Sequence, residues 1–480
     1  MIKIKVLIGY VGRIITTLGV AMLFCSFYSL YLNEEDALNL FGIASFTIIV
    51  GLVVGKIFYQ KASLNYKEGF ALVGLGWIVA CFFGSLPYVS TWSIPNYADA
   101  LFETASGFST TGATILSDIE SMPKGILLWR SLTQWLGGIG IIAFFVAIVS
   151  DFGNRASQIF RAETTGAEKD KISPRVKDNA RALWKMYLLL TVLNILLLKM
   201  CGMNLFDAIC HAFTTISTGG FSTQNLSFAE FNPMIQWVTI FFMFVGGTKL
   251  SLLYLALKDR SPKIYFRNRE FNVYFIIYTI SILLVTINLA FTGHGISLRE
   301  AAFQVVSIGT TTGYASIDYN YWPEFGKSIL FIAMFIGACS GSTSGNIKIG
   351  RYLIIFKRIK IEFNKMIHPQ AVYSLKIGNK SVSDAVVFNV LVFFALWVLF
   401  LLLGTIVLSS LPDIKLMSAF SACLACLGNV GPGFDQIGPM SNFGFLNDTA
   451  KYILSALMIV GRLEIYPIIL LFMPSFWKRE

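Results

Sequence analysis

The sequence predicts an all-α polytopic membrane protein, built from four related units that follow an additional N-terminal pair of helices. The first indication is composition, since 55% of the 480 residues are hydrophobic and only 14% are charged, too few to cover the surface of a soluble protein of this size. The second is the presence of long continuous apolar runs, which are typical of spanning helices, whereas the strands of a membrane barrel alternate. The third is an internal repeat of short glycine-containing strings.

Ten apolar segments are candidates for spanning helices, and most of them reach the ~20 residues that a helix needs to cross a bilayer. The first follows Lys3 and Lys5 but runs to about Tyr31, which is longer than the apolar part of a signal peptide, and no small-residue cleavage site ends it. We therefore expect a retained first helix. The ten segments are approximately 6–31, 38–58, 70–89, 126–149, 183–199, 234–257, 271–291, 328–356, 386–408 and 451–472.

Basic residues are concentrated in alternate loops. Segments 155–185, 258–269 and 348–380 hold eight, five and eight Lys or Arg residues, respectively. By the positive-inside rule these loops face the cytoplasm, and both termini lie on the same side, as an even number of helices requires. The net charge of +11 is therefore mainly an orientation signal, and its division among short loops argues against nucleic-acid binding.

Four strings of similar design each follow an apolar segment too short to span a bilayer and precede one long enough to span it. Glycine lets the backbone turn without an obstructing side chain, so that carbonyl oxygens can face a dehydrated cation. Four such loops in one chain predict a central pore with four-fold pseudosymmetry. For any single loop, the alternative is that the glycine only ends a helix. The candidate ion-binding residues are Thr110, Thr111, Gly112, Thr218, Gly219, Gly220, Thr311, Thr312, Gly313, Asn429, Val430 and Gly431.

The register of the four strings extends into the segment before each of them. Thirteen residues before the key glycine, three of the four segments carry an acid, which can cap a pore helix and meet its positive dipole end. The negative end then points toward the pore. The repeating unit is thus helix, short pore helix, Gly loop, helix, and we expect a helix pair at 1–66 and pore repeats at 67–150, 151–257, 258–365 and 366–480. The residues at the helix start are Asp99, Asp207, Glu300 and Ser418.

Three of the strings are specific enough to indicate a family. They read Ser-Thr-Gly-Gly-Phe-Ser at 217–222, Thr-Thr-Thr-Gly-Tyr at 310–314 and Gly-Asn-Val-Gly-Pro-Gly-Phe at 428–434. As a set they resemble the superfamily of Trk, Ktr and plant HKT potassium and sodium transporters. The extra N-terminal pair makes the chain similar to membrane subunits of the TrkH and TrkG type. The third loop alone carries the Thr-x-Gly-Tyr string of tetrameric potassium channels, so a symmetric filter supported by tyrosines is not expected.

The resemblance implies potassium conduction across the bacterial cytoplasmic membrane, with K⁺ as the transported ion and no covalent cofactor. In the family, glycine at the key position of all four loops goes with K⁺ selectivity, whereas serine in the first loop marks many Na⁺-transporting relatives. Gly112 therefore favours K⁺. The resemblance also implies a homodimer with two separate pores and a cytoplasmic nucleotide-binding regulatory ring of the TrkA type. The basic loops 151–185 and 348–380 are candidate docking surfaces.

The eighth apolar segment, 328–356, is too long for one simple span, and its middle is rich in glycine and serine. Irregular backbone at membrane depth is tolerated only where protein or a watery cavity covers it. The family has an intramembrane loop here that obstructs the pore, and a helix kinked through small residues is the alternative. Lys348 lies just beyond this stretch. The candidate gate residues are Gly337, Ser340, Gly341, Ser342, Thr343, Ser344 and Gly345.

Arg462 lies midway along the last predicted helix, where a charge is expensive and requires a cavity or a partner. One interpretation is a structural pair, for example with the carbonyl groups of a pore helix. The other, which the resemblance supports, is a positive charge facing the conduction path as part of the gate. Glu464 points to another face of the helix and is not an obvious partner.

Some polar residues have weaker interpretations. His211 is expected to be a hydrogen-bonded core residue rather than a ligand, and Cys423-x-x-Cys426 is expected to pack in the core. Three acids follow the Gly loops closely and either attract cations to the outer mouth or belong to ordinary solvated loops. These acids are Asp118, Asp318 and Asp435.

The sequence does not favour an enzyme. It contains no Gly-x-x-x-x-Gly-Lys-Ser/Thr phosphate loop and no cluster of metal ligands. The alternatives to a potassium-conducting subunit are a Na⁺-conducting relative and a secondary transporter of another solute. The latter would place broken helices with their N-termini toward a midplane site. A receptor or scaffold would leave the repeated Gly loops unexplained.

Overall fold

The computed structural model of the chain describes residues 3–60, 64–140, 176–293, 298–378, 380–412 and 414–478. These parts are predominantly helical and include one small antiparallel strand pair, Lys376–Ile377 with Lys380–Ser381. The prediction of an all-α membrane protein is thereby confirmed. The second half of the predicted segment 126–149 lies mostly outside the described residues. The same is true of most of the basic segment 151–185.

The N-terminal helices, Ile4–Tyr31 and Ala37–Ile57, pack closely along most of their length. Glycines permit the close approach, since a side chain on Gly12 would meet the backbone nitrogen of Gly55 at 2.4 Å. The turn between them reaches the first unit. There the Glu34 carboxylate accepts hydrogen bonds from the backbone nitrogens of Lys124 (2.8 Å) and Gly125 (3.0 Å).

Each of the four units contains a leading helix, a short helix and a returning helix. The leading helices are Tyr66–Ser90, Val176–Met200, Arg269–Phe291 and Asp384–Ser409. The short helices are Tyr97–Phe108, Leu205–Ile216, Leu298–Gly309 and Leu416–Leu427. The returning helices are Lys124–Gly138, Pro233–Gly246, Glu324–Ala333 and Asp448–Arg462.

The three described returning-helix continuations are Leu250–Lys258, Ile349–Ile367 and Tyr466–Phe472. The helix Lys263–Arg267 follows in the second-to-third connection, and Pro474–Trp477 lies at the C-terminal end. Two single-turn 3₁₀ helices, Tyr319–Tyr321 and Asp435–Ile437, follow the third and fourth Gly loops.

Asparagine caps many of these helices, because its side chain accepts a hydrogen bond from a free N–H group of the first turn. Asn96 and Asn204 do so at two short helices, and Asn232 and Asn447 do so at two returning helices. The predicted capping role of the acids is therefore wrong for the first two units. Asp99 and Asp207 lie in the first helical turn three residues after the cap, where they meet the helix dipole.

Six described helices are long and apolar enough to span a membrane. Segments 234–257 and 451–472, expected to be single spans, are each two helices that meet at bends of 97° and 118°. Counting each bent pair as one span gives eight. The count of ten stays a prediction, because one returning helix is described only to residue 138 and Glu324–Ala333 has only 10 residues.

Candidate ion pathway

The four short helices have the same length and the same register to the Gly loops. Each has 12 residues and ends four residues before the key glycine. In every unit, the N–H group of the residue before that glycine closes the helix end with a hydrogen bond to a helix carbonyl. These bonds are Thr111 to Ser106 (2.9 Å), Gly219 to Thr214 (2.8 Å), Thr312 to Ser307 (2.8 Å) and Val430 to Ala425 (2.8 Å).

The backbone of the Gly loops repeats one unusual conformation. In each loop, the key glycine and the residue two positions before it have positive φ angles, whereas the residue between them does not. Alternation of the sign of φ allows successive carbonyl groups to turn to one side of the chain, whereas an extended strand points them alternately to opposite sides. The φ angles are 55° and 83° for Thr110 and Gly112, 52° and 82° for Thr218 and Gly220, 60° and 82° for Thr311 and Gly313, and 53° and 101° for Asn429 and Gly431.

Three of these left-handed residues are threonines, for which a positive φ is a genuine outlier. A branched side chain in this region costs ~1–3 kcal/mol and persists only where the surroundings enforce it. The surroundings here are the tightly closed ends of the short helices. Strain at Thr110, Thr218 and Thr311 therefore marks these loops as sites shaped for a purpose other than stability.

Contacts between the four loops form a closed ring. A side chain added to a key glycine would collide with the carbonyl oxygen that precedes the key glycine of the next loop. We number the loops in chain order, with key glycines Gly112, Gly220, Gly313 and Gly431 in loops 1 to 4. Each loop abuts the next one, and loop 4 abuts loop 1, so the loops surround a common axis. The distances from the added Cβ atom to that carbonyl oxygen are 2.2 Å from Gly112 to Gly219, 1.8 Å from Gly220 to Thr312, 2.2 Å from Gly313 to Val430 and 2.6 Å from Gly431 to Thr111.

Tyr314 connects loop 3 to the second short helix. Its buried hydroxyl group bonds to the side chain of Thr214 and lies 3.2 Å from both the Thr215 hydroxyl oxygen and the His211 carbonyl oxygen. His211 itself is hydrogen-bonded through both ring nitrogens, to the Asp207 carbonyl oxygen (2.8 Å) and the Ser222 hydroxyl oxygen (3.0 Å). These contacts give His211 a structural role in loop 2.

A buried ion pair connects loops 1 and 2, and it has no counterpart among the residues that the sequence singled out. Arg130 Nε lies 2.6 Å from Glu103 Oε1, and both side chains are almost fully buried. Glu103 also accepts the N–H group of Ile115 (3.0 Å), while Arg130 donates to the Ser222 carbonyl oxygen (2.8 Å). The available signal was the presence of an acid and a base within apolar segments, where isolated charges are expensive.

The glycine- and serine-rich stretch 337–345 lies directly against the Gly loops. The Thr343 hydroxyl group donates to the carbonyl oxygens of Ile216 (3.0 Å) and Gly246 (3.2 Å). The Gly345 N–H group donates to the Thr311 hydroxyl oxygen (2.7 Å). Ile216 ends a short helix and Thr311 belongs to loop 3, so this stretch, here called the gate loop after its predicted role, packs against the helix-terminus side of the ring.

A carboxylate anchors the other end of the gate loop. Glu270, buried at the start of the third leading helix, accepts hydrogen bonds from the N–H group of Ser340 (2.7 Å), the Ser340 hydroxyl group (2.8 Å) and the N–H group of Gly350 (2.9 Å). Gly341 has a φ of 76°, and the Ser342 and Ser344 hydroxyl oxygens lie 3.0 Å apart. The serines therefore bond mainly within or beside the loop.

Arg462 joins the gate loop to the first unit. It donates to the carbonyl oxygens of Thr343 (2.7 Å), Gly137 (2.8 Å) and Gly138 (3.0 Å). Carbonyl groups therefore hold the charge in place, and one of them belongs to the gate loop, whereas a role of the charge in the conduction path stays a prediction. Glu464 bonds to Arg351 instead. The Lys348 amino group, which the sequence left without a role, bonds to oxygen atoms of Ser344 and Gly345.

The three acids after the Gly loops all accept hydrogen bonds, and the partner of Asp118 belongs to the second unit. Asp118 accepts from the Asn225 side chain (3.2 Å), and hydrogen bonds from Asn225 and Ser121 hold its pKa below the usual value. Asp318 accepts the N–H group of Asn320 (2.9 Å), and Asp435 accepts the Ser418 hydroxyl group (2.7 Å). Each acid therefore has a structural role in addition to any attraction that it exerts on cations.

Apolar helices and four inserted loops that close into a ring define a multi-pass helical membrane protein of the ion-transport class. The chain belongs to the TrkH family, whose model, described as a cation transport protein, matches residues 40–479. It is thus a transport protein rather than an enzyme.

Two curated relatives cover nearly the whole chain. The Trk system potassium uptake protein TrkH of Salmonella typhimurium is 38% identical over 449 residues, covering 90% of this chain and 91% of the relative. The Trk system potassium uptake protein TrkG of Escherichia coli is 34% identical over 485 residues, covering 99% of both. The crystal structure of the potassium transporter TrkH from Vibrio parahaemolyticus matches with a TM-score of 0.88 at 32% identity, covering 99% of this chain and 100% of that one.

Proposed function

We propose that the chain takes up potassium ions across the cytoplasmic membrane, through the ring of Gly loops and under the control of the gate loop 337–345. The names of the TrkH and TrkG relatives support potassium as the ion. The observation that carries the proposal is the closed contact cycle of the four loops, in which each key glycine abuts a carbonyl oxygen of the next loop.

In this mechanism, the carbonyl oxygens of the four loops replace the water molecules around K⁺. The four short helices end beside the ring, so the negative ends of their dipoles stabilise a cation there. Na⁺ is smaller and holds its water more tightly. Because the backbone contacts between loops stop the ring from contracting around it, the carbonyl oxygens offset its dehydration less well than that of K⁺. The ion-binding set consists of the loop residues predicted from the sequence.

The gate loop obstructs the path on the inner side of the ring. Two groups fix its position, Glu270 through Ser340 and Arg462 through Thr343. Arg462 adds a positive charge that raises the free energy of a passing cation, an effect that a low local dielectric enlarges. Opening requires the loop to leave the Arg462 contact, whereas the Glu270 anchor serves as the fixed end.

The assembly extends beyond the single chain. We place the five segments 1–66, 67–150, 151–257, 258–365 and 366–480 in a bacterial inner membrane as ten spans, with both termini in the cytoplasm. The chain forms a homodimer with one pore per subunit, and a nucleotide-binding regulatory subunit of the TrkA type docks on the cytoplasmic basic loops. The "Trk system" names of the relatives support a complex of several components.

The proposal is tested by ion flux into proteoliposomes that contain the purified protein, with K⁺, Rb⁺, Na⁺ and Li⁺ compared at equal gradients. We expect K⁺ and Rb⁺ to enter and Na⁺ and Li⁺ to be strongly disfavoured. Equal K⁺ and Na⁺ flux would indicate a Na⁺-conducting relative, and the absence of any cation flux would contradict the proposal.

A pair of matched variants locates the pathway. Gly313→Ala adds a methyl group that meets the Val430 carbonyl oxygen at 2.2 Å, and it should lower the K⁺/Na⁺ flux ratio. Gly293→Ala is the control, because Gly293 has nearly the same φ (81° against 82°) but nothing within 4 Å of the added group. An equal effect of both variants would show that backbone strain, rather than the ring, determines the ratio.

A further inference from the structure

The four units carry one short sequence motif at the end of the returning helix, and the first unit departs from it. The motif is methionine, two apolar residues and then glycine, and the first unit has glutamine in place of methionine. The glutamine and the three methionines are all fully buried. The strings begin and end at Gln134 and Gly137, Met243 and Gly246, Met334 and Gly337, and Met458 and Gly461.

Close contacts place the strings in the same structural register. A side chain on Gly137 would lie 1.8 Å from the carbonyl oxygen of Phe108, and one on Gly461 would lie 2.0 Å from that of Leu427. Phe108 and Leu427 are the last residues of the short helices in their own units. Gln134 and Met458 therefore occupy equivalent positions.

A second departure from the repeat is found in loop 2. The residue before the key glycine has a side chain in three loops, where it is Thr111, Thr312 or Val430, but it is Gly219 in loop 2. The φ of Gly219 is outside the left-handed region, so its backbone conformation does not require glycine. The reason for glycine must therefore lie in the space around it.

Gln134 fills that space. A side chain on Gly219 would begin 2.4 Å from the Gln134 side-chain amide carbon. In its place, Gln134 Nε2 donates to the Gly219 carbonyl oxygen (2.6 Å), and Oε1 accepts the N–H group of Phe221 (3.1 Å). These two hydrogen bonds lie on either side of the key glycine, Gly220. The two departures from the repeat thus meet at one contact.

We infer that Gln134 and Gly219 are a compensating pair, in which Gln134 replaces the missing loop side chain and holds loop 2 in its ion-selecting conformation. The inference rests on the proposed role of the Gly loops as an ion filter. Gln134 is a positioning residue, since it acts on the ion only through the loop backbone.

The physical reason is the freedom of two consecutive glycines. Gly219 and Gly220 have no side chains to restrict their peptide groups, so an external contact must fix the direction of the carbonyl groups. The Gly219 carbonyl oxygen is also the atom that closes the contact between loops 1 and 2. Rotation of this one peptide would disturb two quarters of the ring. Arg130, one helical turn earlier, holds the same loop through the Ser222 carbonyl oxygen.

The test begins with Gln134→Met, which keeps a similar volume and restores the residue of the other three units. Two buried hydrogen bonds to the loop are lost, and we expect the K⁺/Na⁺ flux ratio to fall by about tenfold. Gly219→Thr should also lower the ratio, because the new side chain collides with Gln134. The double variant recreates the combination found in the other units and should recover most of the parent ratio.

Two further variants make the result decisive. Gln236→Met is a matched control, since Gln236 is a buried glutamine on the second returning helix that bonds to the Phe228 carbonyl oxygen (2.8 Å) rather than to the ring. It should leave the ratio unchanged, and an equal loss there would overturn the inference. If Gln134→Met does not fold, Gln134→Glu replaces it, because a carboxylate keeps the shape but cannot donate to Gly219. An unchanged ratio in that variant overturns the inference.

The filter and the pair can fail separately. If Gly313→Ala lowers the K⁺/Na⁺ ratio while Gln134→Met leaves it intact, the pair is wrong and the filter stands. If neither variant changes the ratio, the proposed filter itself fails. A double variant no better than Gln134→Met alone would show that Gln134 does not compensate for Gly219, and this outcome would overturn the pairing.

Discussion

In the half of each unit that holds the short helix and the Gly loop, the four units agree in length, register and backbone angle, whereas the described returning helices continue in three different ways. Unit 2 bends by 97°, unit 4 bends by 118°, and unit 3 has the irregular stretch 334–348. An ion coordinated from all sides requires equivalent groups around it. A gate needs only one obstruction, so the second half of the units is free to differ.

The asymmetric half is organised by single charged residues. Arg462, Glu270 and Lys348 each bond to the gate loop or its flanks. The symmetric half depends mainly on backbone contacts instead. Substitutions in the Gly loops and at the side chains that hold them should therefore change ion selectivity, whereas substitutions in the gate loop and at its anchors should change basal flux.

The largest expected effect lies in the symmetric half. Gly112→Ser introduces a Cβ atom 2.2 Å from the Gly219 carbonyl oxygen at a φ of 83°, so the loop must shift. We expect the K⁺/Na⁺ flux ratio to fall by about 100-fold, equivalent to ~2.7 kcal/mol. Gly293→Ser carries similar backbone strain in open space and should keep the parent ratio. A folded Gly112→Ser protein with parent selectivity would remove loop 1 from the proposed filter.

The next effect concerns the gate loop. Deletion of residues 340–344 removes the Thr343 contacts with Ile216, Gly246 and Arg462. We expect basal K⁺ flux per folded protein to rise by about 30-fold, corresponding to a barrier lowered by ~2 kcal/mol, while the K⁺/Na⁺ ratio stays near that of the parent. An unchanged or lower flux in a folded deletion variant would show that the stretch is a packing kink.

Arg462 allows a finer division within the asymmetric half. Arg462→Ala removes both the charge and the link between the gate loop and Gly137, so K⁺ flux should rise by about tenfold. Arg462→Lys should remain closer to the parent, since it keeps the charge but loses the planar arrangement of donors. Flux is normalised to folded protein measured by size-exclusion chromatography. Lower flux in well-folded Arg462→Ala would end the barrier hypothesis and leave a structural role.

The smallest effect is expected outside both halves, at Asp118. Its pKa is depressed, so the carboxylate stays ionised until the pH falls below its usual titration range. Asp118→Asn should lower K⁺ flux by less than about twofold at low ionic strength and not at all at high salt, because exposed charges are screened. A larger loss that persists in high salt would assign Asp118 to the ion path itself.

The sequence predicts the symmetric half well because each feature occurs four times. A single Gly loop such as 429–431 would be indistinguishable from a helix end, but four in one register are not. The capping role was assigned to the wrong residue type, since asparagines such as Asn96 and Asn204 lie three positions before the acids. A count of acids alone cannot separate a cap from a first-turn residue.

The asymmetric half was predicted poorly because apolar runs conceal helix breaks. Segments 234–257 and 451–472 are continuous by hydropathy, yet both bend sharply. Each contains a charged residue at the bend, Lys249 or Glu464, and a charge at membrane depth requires a partner or a cavity. Those charges were the available signal. For Glu103 and Arg130 the sequence offers two charges within apolar segments, but only the fold shows that they pair with each other.

The four joins between neighbouring Gly loops differ in how closely the loops approach each other. A Cβ atom added to Gly431 would lie 2.6 Å from the Thr111 carbonyl oxygen, and one added to Gly220 would lie 1.8 Å from that of Thr312. A single chain, unlike four identical subunits, can change one quarter of its ring at a time, but only where the neighbouring quarter has slack. None of the four joins has that slack, because each of these distances is below 3.0 Å and ends on a backbone oxygen. A side chain at one key glycine therefore displaces the neighbouring loop as well.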